Sequence, residues 1–558
     1  MQKAPQTARK RSTTSSQLLR PCLLASLLVA LAACEGGEPH GESGQAKPAA
    51  AAEAVPGQAL SSSVGIATEL TTVTVPELVE QLSQGTLTAA ELTQGYLARI
   101  DHIDRSGPTL RAVIAVNPDA VNQALASDER RAKGQALGVL DGIPVLVKDN
   151  IETADPMPTT AGSLALENNI TRRDSPLVAK LRAQGAVILG KTNLSQWANF
   201  RSDFSVSGWS SVGGQVKNPH ILDRSPCGSS SGSGVAVAAG LAALAIGTET
   251  NGSIICPSNV NGIVGFKPTL GLLSQDRIIP ISPSQDTAGP MARSVEGAAL
   301  LLDAMLGESG RFSSELATAK PIENLTVAVM RFAQGDHPQI IERFNAAIDI
   351  FQRAGARVVE VNEFQPTDRN LRRHETEVLQ TEFKTSLNAY LASTPDTVLV
   401  RNLEQLIDFN EAHADSELAV FGQDIFLAAQ QQLGLDDPDY QQALAAIKAA
   451  TGPSGIDQLL KDAGADILVA PSGPIAPPRD PINGDVWPSW VGIGYMAAIA
   501  GYPHLSIPMG TIKGIPIGLS IIGRAHDDKK LLEVGHQWQG LYGPVPTPEY
   551  LTTAHEVP

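Results

Sequence analysis

A tract of glycine and serine lies in the middle of the chain, at residues 225–240 (SPCGSSSGSGVAVAAG). Such a tract suits a flexible linker, a phosphate-binding loop or the sharp turn that presents a hydrolase nucleophile. A linker is excluded because the apolar run VAVAAGLAALAIG follows and predicts a buried helix that must be packed. We therefore predict a loop that leads to a helix N-terminus, where free backbone N–H groups favour negative charge.

Two known motifs overlap this part of the chain, and their contexts argue against both. GSSSG at residues 228–232 matches the G-x-S-x-G pattern, which would make Ser230 a nucleophile, but the polar NPHILDRSPC precedes it where a buried strand is needed. GAVILGKT at residues 185–192 matches the phosphate-loop pattern through Lys191 and Thr192. Because a helix is predicted before this segment and AVIL is typical of a strand, we expect no nucleotide site.

Two further segments complete a candidate catalytic site. LDGIPVLVKDN at residues 140–150 predicts an apolar strand that ends at Lys148, where burial would lower the pKa of the ammonium group. GTETNGSIICPS at residues 247–258 predicts a second glycine-bearing loop that presents Ser253. A buried lysine can activate a serine nucleophile, and Lys191 is the alternative base.

These segments, in this order, resemble the amidase signature family of serine hydrolases, as do GKTNLSQWANF, NGIVGFKPTLG, SQDTAGPMARSV and AGYPHLSIPMGTIKGIPIGLSIIG. The resemblance covers residues 74–540, and WANFRSDFSVSGWS, SPCGSSSGSG and IGTETNGSI are most similar to the peptide amidase subgroup, which removes ammonia from C-terminally amidated peptides. It implies an α/β fold with one large, mixed, twisted β-sheet covered by helices on both faces. The alternation of predicted strands and helices independently favours an α/β architecture.

The resemblance also implies a catalytic triad. By position in the motifs, the triad is Lys148, Ser229 and Ser253, with a cis peptide bond before Ser229. Neutral Lys148 would take a proton from Ser229, which takes one from Ser253 as it attacks the amide carbon to form an acyl-enzyme. No metal or cofactor is implied. The oxyanion would be bound by the backbone N–H groups of Thr250, Asn251, Gly252 and Ser253.

Four positions depart from the common pattern of the family. Asn251 is compatible with the proposed site, because asparagine is the best residue after glycine at a positive φ and the oxyanion donors are backbone groups. The loss of a cation at residue 255 argues against transferring the substrate preference of members that keep it. The departures are Glu249 for Asp, Asn251 for Gly, Ile255 for Arg and Ser520 for Gln.

The expected function is that of an amidase that releases ammonia, with C-terminal peptide amides as substrates. One alternative is an amidase of small aliphatic, aryl or fatty amides, and another is a surface lipoprotein that binds amides or peptides without hydrolysis. A glutamine-dependent transamidation subunit is disfavoured, because such subunits act on charged tRNA in the cytoplasm, whereas the N-terminus of this chain resembles an export signal. Substrate choice is expected to depend on residues 300–450, which close over the site.

The N-terminus has the order of a secretory signal at residues 1–33, with basic residues before the apolar CLLASLLVALAAC. LAAC resembles a bacterial lipoprotein box, in which Cys34 becomes the lipid-modified first residue. Residues 34–73 are rich in glycine, alanine, proline and serine, which predicts a flexible tether. We therefore predict export to the cell envelope, as a lipid-anchored or periplasmic protein whose only membrane contact is the anchor.

Composition and cysteine usage limit the remaining possibilities. A net charge of −16, with no long basic run beyond the N-terminus, argues against nucleic-acid partners. The 558 residues contain no internal repeat, and we predict one catalytic domain at 74–545 and a C-terminal tail at 546–558. Two of the four cysteines lie in the signal and lipoprotein box, so no disulfide framework is expected. Cys227 and Cys256 flank the two serines, which would allow them to approach each other, but two small buried thiols are the favoured interpretation.

Overall fold

The protein's structure, a computed structural model, describes residues 70–557. The predicted signal, Cys34 and the tether up to residue 69 lie outside the described residues. The first described helix, Val75–Gln84, begins at a capping box, in which Thr74 and Glu77 each bond the other's backbone N–H. No helix within 70–557 combines the length and apolar character needed to cross a membrane.

One large mixed sheet organises the described part of the chain. Within residues 70–557, eleven strands follow the order β1-β3-β2-β6-β8-β7-β12-β13-β11-β9-β10, and β4 and β5 form a separate ribbon. Parallel and antiparallel pairs both occur, as the family resemblance implies. The strands are β1 Val113–Val116, β2 Pro144–Lys148, β3 Val187–Thr192, β4 Trp209–Ser210, β5 Gly214–Gln215, β6 Leu244–Glu249, β7 Val264–Lys267, β8 Thr287–Ala292, β9 Thr326–Met330, β10 Arg357–Val361, β11 Ile467–Pro471, β12 His504–Ile512 and β13 Ile515–Ile522.

Helices cover both faces of this sheet. Every residue of β2, β3 and β6 is buried, as expected for strands packed against helices on each side. The α-helices are Val75–Gln84, Ala89–Arg99, Ala120–Ala132, Pro176–Ala183, Ser231–Ala238, Ile255–Asn261, Val295–Leu306, Pro338–Arg353, Leu371–Ala392, Leu403–Ala412, Ala414–Glu417, Asp424–Gln430, Pro438–Thr451, Asp457–Ala463, Gly494–Ala500 and Asp528–Tyr542. Short 3-10 segments are Leu164–Leu166, Gln196–Asn199, Pro321–Asn324, Arg331–Ala333 and Ala554–Glu556, and π-helical turns are Ile100–Arg105 and Gly452–Ile456.

The apolar run after the serine tract contains both a helix and a strand. The prediction of one buried helix through residue 247 is wrong beyond Ala238, because β6 already begins at Leu244. Gly240, with a φ of 64°, lies in the turn between them. The short helix Ser231–Ala238 is buried at every residue and therefore fixes the end of the serine tract inside the core.

Candidate active site

Lys148 is the last residue of β2, and its side chain is completely buried. Its Nζ donates hydrogen bonds to Ser229 Oγ at 2.8 Å, to Thr248 Oγ1 at 2.8 Å and to the Thr248 carbonyl at 3.2 Å. Burial lowers the pKa of Lys148 to about 7, and the negative charges of Asp286 and Glu249 oppose this shift only in part. A lysine with this pKa is partly neutral at physiological pH, so it can accept a proton from Ser229.

Ser229 lies in the loop before the helix Ser231–Ala238 and is completely buried. The peptide bond between Gly228 and Ser229 is cis, as the family resemblance implies. The Ser229 carbonyl accepts a hydrogen bond from the Ser195 N–H at 3.1 Å, while its hydroxyl faces Lys148. The structure therefore brings two of the three predicted catalytic side chains into direct contact.

Ser253 lies in the loop between β6 and the helix Ile255–Asn261, and 8% of it is exposed. Its carbonyl accepts a hydrogen bond from the Ser230 N–H at 3.1 Å, which ties this loop to the serine tract. Its hydroxyl has no hydrogen-bond partner among residues 70–557, so it does not bond to Ser229 in this structure.

The loop that carries Ser253 presents a row of backbone donors. No residue of the described chain accepts a hydrogen bond from the N–H groups of residues 250–253. The left-handed residue of this loop is Gly252, with a φ of 80°, and Asn251 does not have a positive φ. The Asn251 side chain instead donates to Glu375 Oε1 at 2.7 Å. Unpaired N–H groups in series can bind an oxyanion.

Glu249, one of the four departures from the family pattern, stabilises this loop. Its buried carboxylate accepts hydrogen bonds from the N–H groups of Ile254 at 2.7 Å and Ile255 at 3.0 Å. Because these donors lie at the start of the helix Ile255–Asn261, the carboxylate caps that helix and fixes the turn that contains Ser253. The acidic side chain therefore has a structural reason at this position.

The alternative base, Lys191, contacts other groups. Its Nζ donates to the Ile151 carbonyl and, at 2.9 Å, to Thr159 Oγ1. In the sheet, Lys191 is paired with Val147, the neighbour of Lys148, so the two lysines project from opposite faces. Lys191 is therefore directed away from the serine loops.

The alternative nucleophile, Ser230, is engaged with the backbone of β6. Its Oγ donates to the Thr248 carbonyl at 3.0 Å and accepts from the Thr248 N–H at 3.2 Å. The side chain is completely buried. The phosphate-loop match at residues 185–192 contains β3, so it is a strand and not an open loop, as predicted.

Cys227 and Cys256 form a disulfide, with Cα atoms 5.9 Å apart. The prediction of two free buried thiols is therefore wrong. The sequence shows that both cysteines flank the serines of interest, but it does not show how far apart the two loops lie. The disulfide joins the loop of Ser229 to the helix that follows Ser253.

The sequence of this chain matches a known protein family. A protein-family model described as Amidase matches residues 91–532. The chain belongs to the amidase signature family. The protein is thus an amidase, an enzyme that hydrolyses the C–N bond of amides.

Solved structures and relatives of this amidase agree with that assignment. It is similar to a peptide amidase, PAM, in complex with the competitive inhibitor chymostatin, at 43% identity and a TM-score of 0.81 over 86% of this chain and 99% of that one. The native peptide amidase of Stenotrophomonas maltophilia is 42% identical, with a TM-score of 0.80 over 86% of this chain and 98% of that one. A probable amidase of Arabidopsis thaliana is 35% identical over 86% of this chain and 94% of its own length.

Two cavities flank the Ser253 loop of the amidase. The smaller, of about 200 Å³, is lined by Gly228 and Gly252, the chain neighbours of Ser229 and Ser253, so it is the candidate substrate cavity. Its wall also includes Cys227, Cys256, Asp485, Trp487, Trp490 and Tyr495. The larger, of about 580 Å³, is lined by Asn150, Thr248, Thr250, Asp286 and residues 275–283 and 386–393. It therefore approaches Lys148 through Thr248, which accepts hydrogen bonds from the lysine.

The expectation that residues 300–450 close over the site is met only in part. Glu375, in the helix Leu371–Ala392, reaches Asn251, and residues 386–393 of the same region line the larger cavity. The aromatic wall of the smaller cavity comes instead from residues 487–495. The chain therefore uses two separate segments to surround the Ser253 loop.

Sequence reasoning missed the residues that surround Lys148. Thr248 accepts from Lys148 and also from Asn150 Nδ2, at 3.0 Å. Asp286 accepts a hydrogen bond from the Thr250 hydroxyl at 2.5 Å, and burial raises the pKa of Asp286 to about 6. All three residues lie within quoted motifs. Thr248 and Asn150 are close in sequence to the catalytic candidates, which was an available signal, whereas Asp286 lies in the separate segment SQDTAGPMARSV, whose proximity to Lys148 the sequence does not show.

Proposed function

We propose that this amidase releases ammonia from the C-terminal carboxamide of peptides, with Lys148, Ser229 and Ser253 as its catalytic residues. The observation that carries the proposal is the 2.8 Å contact between Lys148 Nζ and Ser229 Oγ, below a loop with unpaired N–H groups. The similarity to peptide amidase structures at 43% identity supports peptides as the substrate class.

Proton transfer would begin at Lys148. Its neutral amine accepts the Ser229 proton, and Ser229 accepts the proton of Ser253 as that oxygen attacks the carboxamide carbon. The step requires the Ser253 hydroxyl to donate to Ser229 Oγ once substrate is bound. Such hydrogen bonds often tighten only in the substrate complex, and the unpaired Ser253 hydroxyl is available for it.

The negative charge that develops on the carbonyl oxygen would be bound by the N–H groups of residues 250–253. In serine hydrolases, removal of one such donor slows turnover by about 10² to 10³-fold. As the tetrahedral intermediate collapses and the C–N bond breaks, the leaving nitrogen receives through Ser229 the proton that Lys148 holds, and it departs as ammonia. Water then attacks the ester of Ser253 by the same relay, which releases the peptide acid.

The smaller cavity supports a substrate with a side chain next to the carboxamide. Trp487 and Trp490 form an edge-to-face pair with ring centroids 5.7 Å apart, and 51% of Trp490 is exposed. An aromatic wall that extends from the serine loops to solvent can contact a peptide that continues away from its C-terminal amide. A simple aliphatic amide would leave this wall unused.

The test is ammonia release by the purified full-length protein from C-terminally amidated dipeptides, aliphatic amides and anilides. We expect turnover of the peptide amides, and a fluorophosphonate probe should label Ser253. Lys148→Ala, Ser229→Ala and Ser253→Ala should each lose nearly all activity. Ser230→Ala, the matched control in the same tract, should keep most of it because its hydroxyl bonds only to the backbone of Thr248.

Each part of the proposal can fail separately. Turnover of simple amides alone would contradict the peptide substrate and leave the triad in place. Near-normal activity of Lys148→Ala would contradict the base. No turnover of any amide, with an unlabelled Ser253, would instead favour a protein that binds amides without hydrolysis.

Export and lipid attachment at Cys34 form a separate proposal that rests on the N-terminal sequence alone. In a bacterial host, labelled palmitate should be incorporated into the wild type and not into Cys34→Ala. A wild-type protein recovered unlabelled from the cytoplasm, with residues 1–33 intact, would contradict it.

A further inference from the structure

The Cys227–Cys256 disulfide links the loop that carries Ser229 to the helix that directly follows the Ser253 loop. Cys227 lies two residues before Ser229, and Cys256 lies three residues after Ser253. The hydrogen bond from the Ser230 N–H to the Ser253 carbonyl joins the same two loops. Because the cross-link is covalent and immediately adjacent to both serines, it limits how far the two loops can separate.

The backbone at Cys227 shows how the cross-link reaches Ser229. Cys227 has a φ of 53°, a left-handed conformation that a non-glycine residue rarely adopts unless its surroundings hold it there. Three groups hold it: the disulfide, the Ser231 hydroxyl, which donates to the Cys227 carbonyl at 2.5 Å, and Ser225 Oγ, which accepts from the Cys227 N–H at 3.1 Å. The direction of the chain into Ser229 depends on this conformation.

The partner cysteine is equally close to the oxyanion loop. Cys256 lies in the first turn of the helix Ile255–Asn261, and its N–H donates to the Gly252 carbonyl at 2.8 Å. Both cysteines are nearly buried, yet both line the smaller cavity beside Gly228 and Gly252. The disulfide therefore forms part of the wall against which the reacting carboxamide would lie.

We propose that the Cys227–Cys256 disulfide is a positioning element of the catalytic site, which fixes Ser229 relative to the loop of Ser253. The amidase is then fully active only in its oxidised form. This inference rests on the proposed function, because the spacing of the two serines matters only if both are catalytic. Misplacement of reacting groups by about 1 Å costs about 10²-fold in rate, so a small separation of the loops is enough.

Reduction of the native enzyme is the first test. Dithiothreitol breaks the S–S bond, each sulfur takes one electron and one proton, and the dithiol closes to its cyclic disulfide. With both thiols verified by alkylation and peptide mapping, kcat on an amidated dipeptide should fall about tenfold or more, with KM within about twofold. Re-oxidation should restore kcat. An enzyme with both thiols alkylated and an unchanged kcat would overturn the proposal.

The double variant Cys227→Ala/Cys256→Ala removes the cross-link without a reductant. It should show the same loss of kcat and no further response to dithiothreitol. Val260→Ala is the matched control, because Val260 lies in the same helix and the same apolar cluster as Cys256 but in neither loop. If the disulfide were purely structural, the double variant would behave like Val260→Ala, with a lower melting temperature and an unchanged kcat at 25 °C. That result would overturn the proposal.

Reduction of the wild type and the double cysteine variant test the same proposal independently. If the double variant does not fold, reduction of the wild type decides, and if the buried bond resists dithiothreitol, the double variant decides. The variant Ser253→Ala distinguishes a failure of the proposed function from a failure of the proposed role of the disulfide. An active Ser253→Ala would refute the proposed function itself, whereas an inactive Ser253→Ala together with an unchanged kcat in the reduced wild type or in the double variant would refute only the role of the disulfide.

Discussion

Replacing Thr248 with valine should move the acid limb of the activity profile to lower pH. Valine keeps the shape of threonine but removes one of the acceptors around Lys148 Nζ, at 2.8 Å, and leaves the Thr248 carbonyl at 3.2 Å in place. A hydrogen bond to a charged group contributes about 1.5–3 kcal/mol, and its loss weakens the ammonium form more than the amine. At 1.36 kcal/mol per pKa unit, the pKa of Lys148 should fall by about one unit from its value of about 7.

The direction follows from the role of the lysine. Because the neutral amine is the proposed base, a lower pKa keeps Lys148 active to lower pH, and the half-maximal point of kcat/KM should move from about pH 7 to about pH 6. The plateau at high pH should itself fall, by about tenfold, because the amine loses one of the contacts that orient it toward Ser229. Asp286 and Glu249, whose charges raise the pKa of Lys148, remain in both proteins.

The assay is ammonia release from an amidated dipeptide between pH 4.5 and pH 9, with kcat and KM separated at each pH. Thr192→Val is the matched control: Thr192 is paired with Lys148 in the sheet, but its buried hydroxyl bonds to Ser233 Oγ at 2.8 Å. The control should leave the acid limb in place. An acid limb that is unmoved, or moved to higher pH, in Thr248→Val would refute Lys148 as the titrating base.

Substitutions at three positions test the surroundings of the site. Lys191→Met should lower the free energy of unfolding, measured by urea denaturation, by about 3 kcal/mol, because it leaves the buried Asp149 carboxylate unpaired. Ser253 of this variant should still react with fluorophosphonate. Ser230→Ala should cost about 1–2 kcal/mol of unfolding free energy and little activity, and a total loss of labelling would contradict this. Glu375→Ala should lower kcat/KM by up to about tenfold, whereas Glu375→Gln, which can still accept from Asn251, should not.

Local patterns were sufficient for the elements that present the site. The apolar strand that ends at Lys148 and the loop before a helix at the serine tract both follow from the pattern of apolar residues and glycines. The boundary at Ala238 could not be placed, because an apolar run with no polar residue carries no phase that separates a helix from a strand. Gly240 within that run was the one signal of a turn.

Contacts between distant segments were beyond the sequence. Glu375 and Asn251 are 124 residues apart and meet only because the helix Leu371–Ala392 lies beside the Ser253 loop. Likewise, the pairing of Cys227 with Cys256 depends on a Cα separation that neither residue type nor spacing encodes. Motifs identify which residues belong to a site, while the sheet order decides which other residues reach it.

The sheet order also has a consequence for biosynthesis. The hairpin His504–Ile522 lies between β7 and β11, in the interior of the sheet, although it is the last pair of strands along residues 70–557. The strands made earlier therefore form two separate groups, β1–β3 with β6–β8 and β9–β11, until the C-terminal hairpin inserts between them. Pairing across such long stretches of sequence is slow. A premature stop codon before His504 would remove the junction of the two groups and not an edge, so a nearly complete chain would keep β2 and β6, which position Lys148 and Ser253, in a group separated from β9–β11.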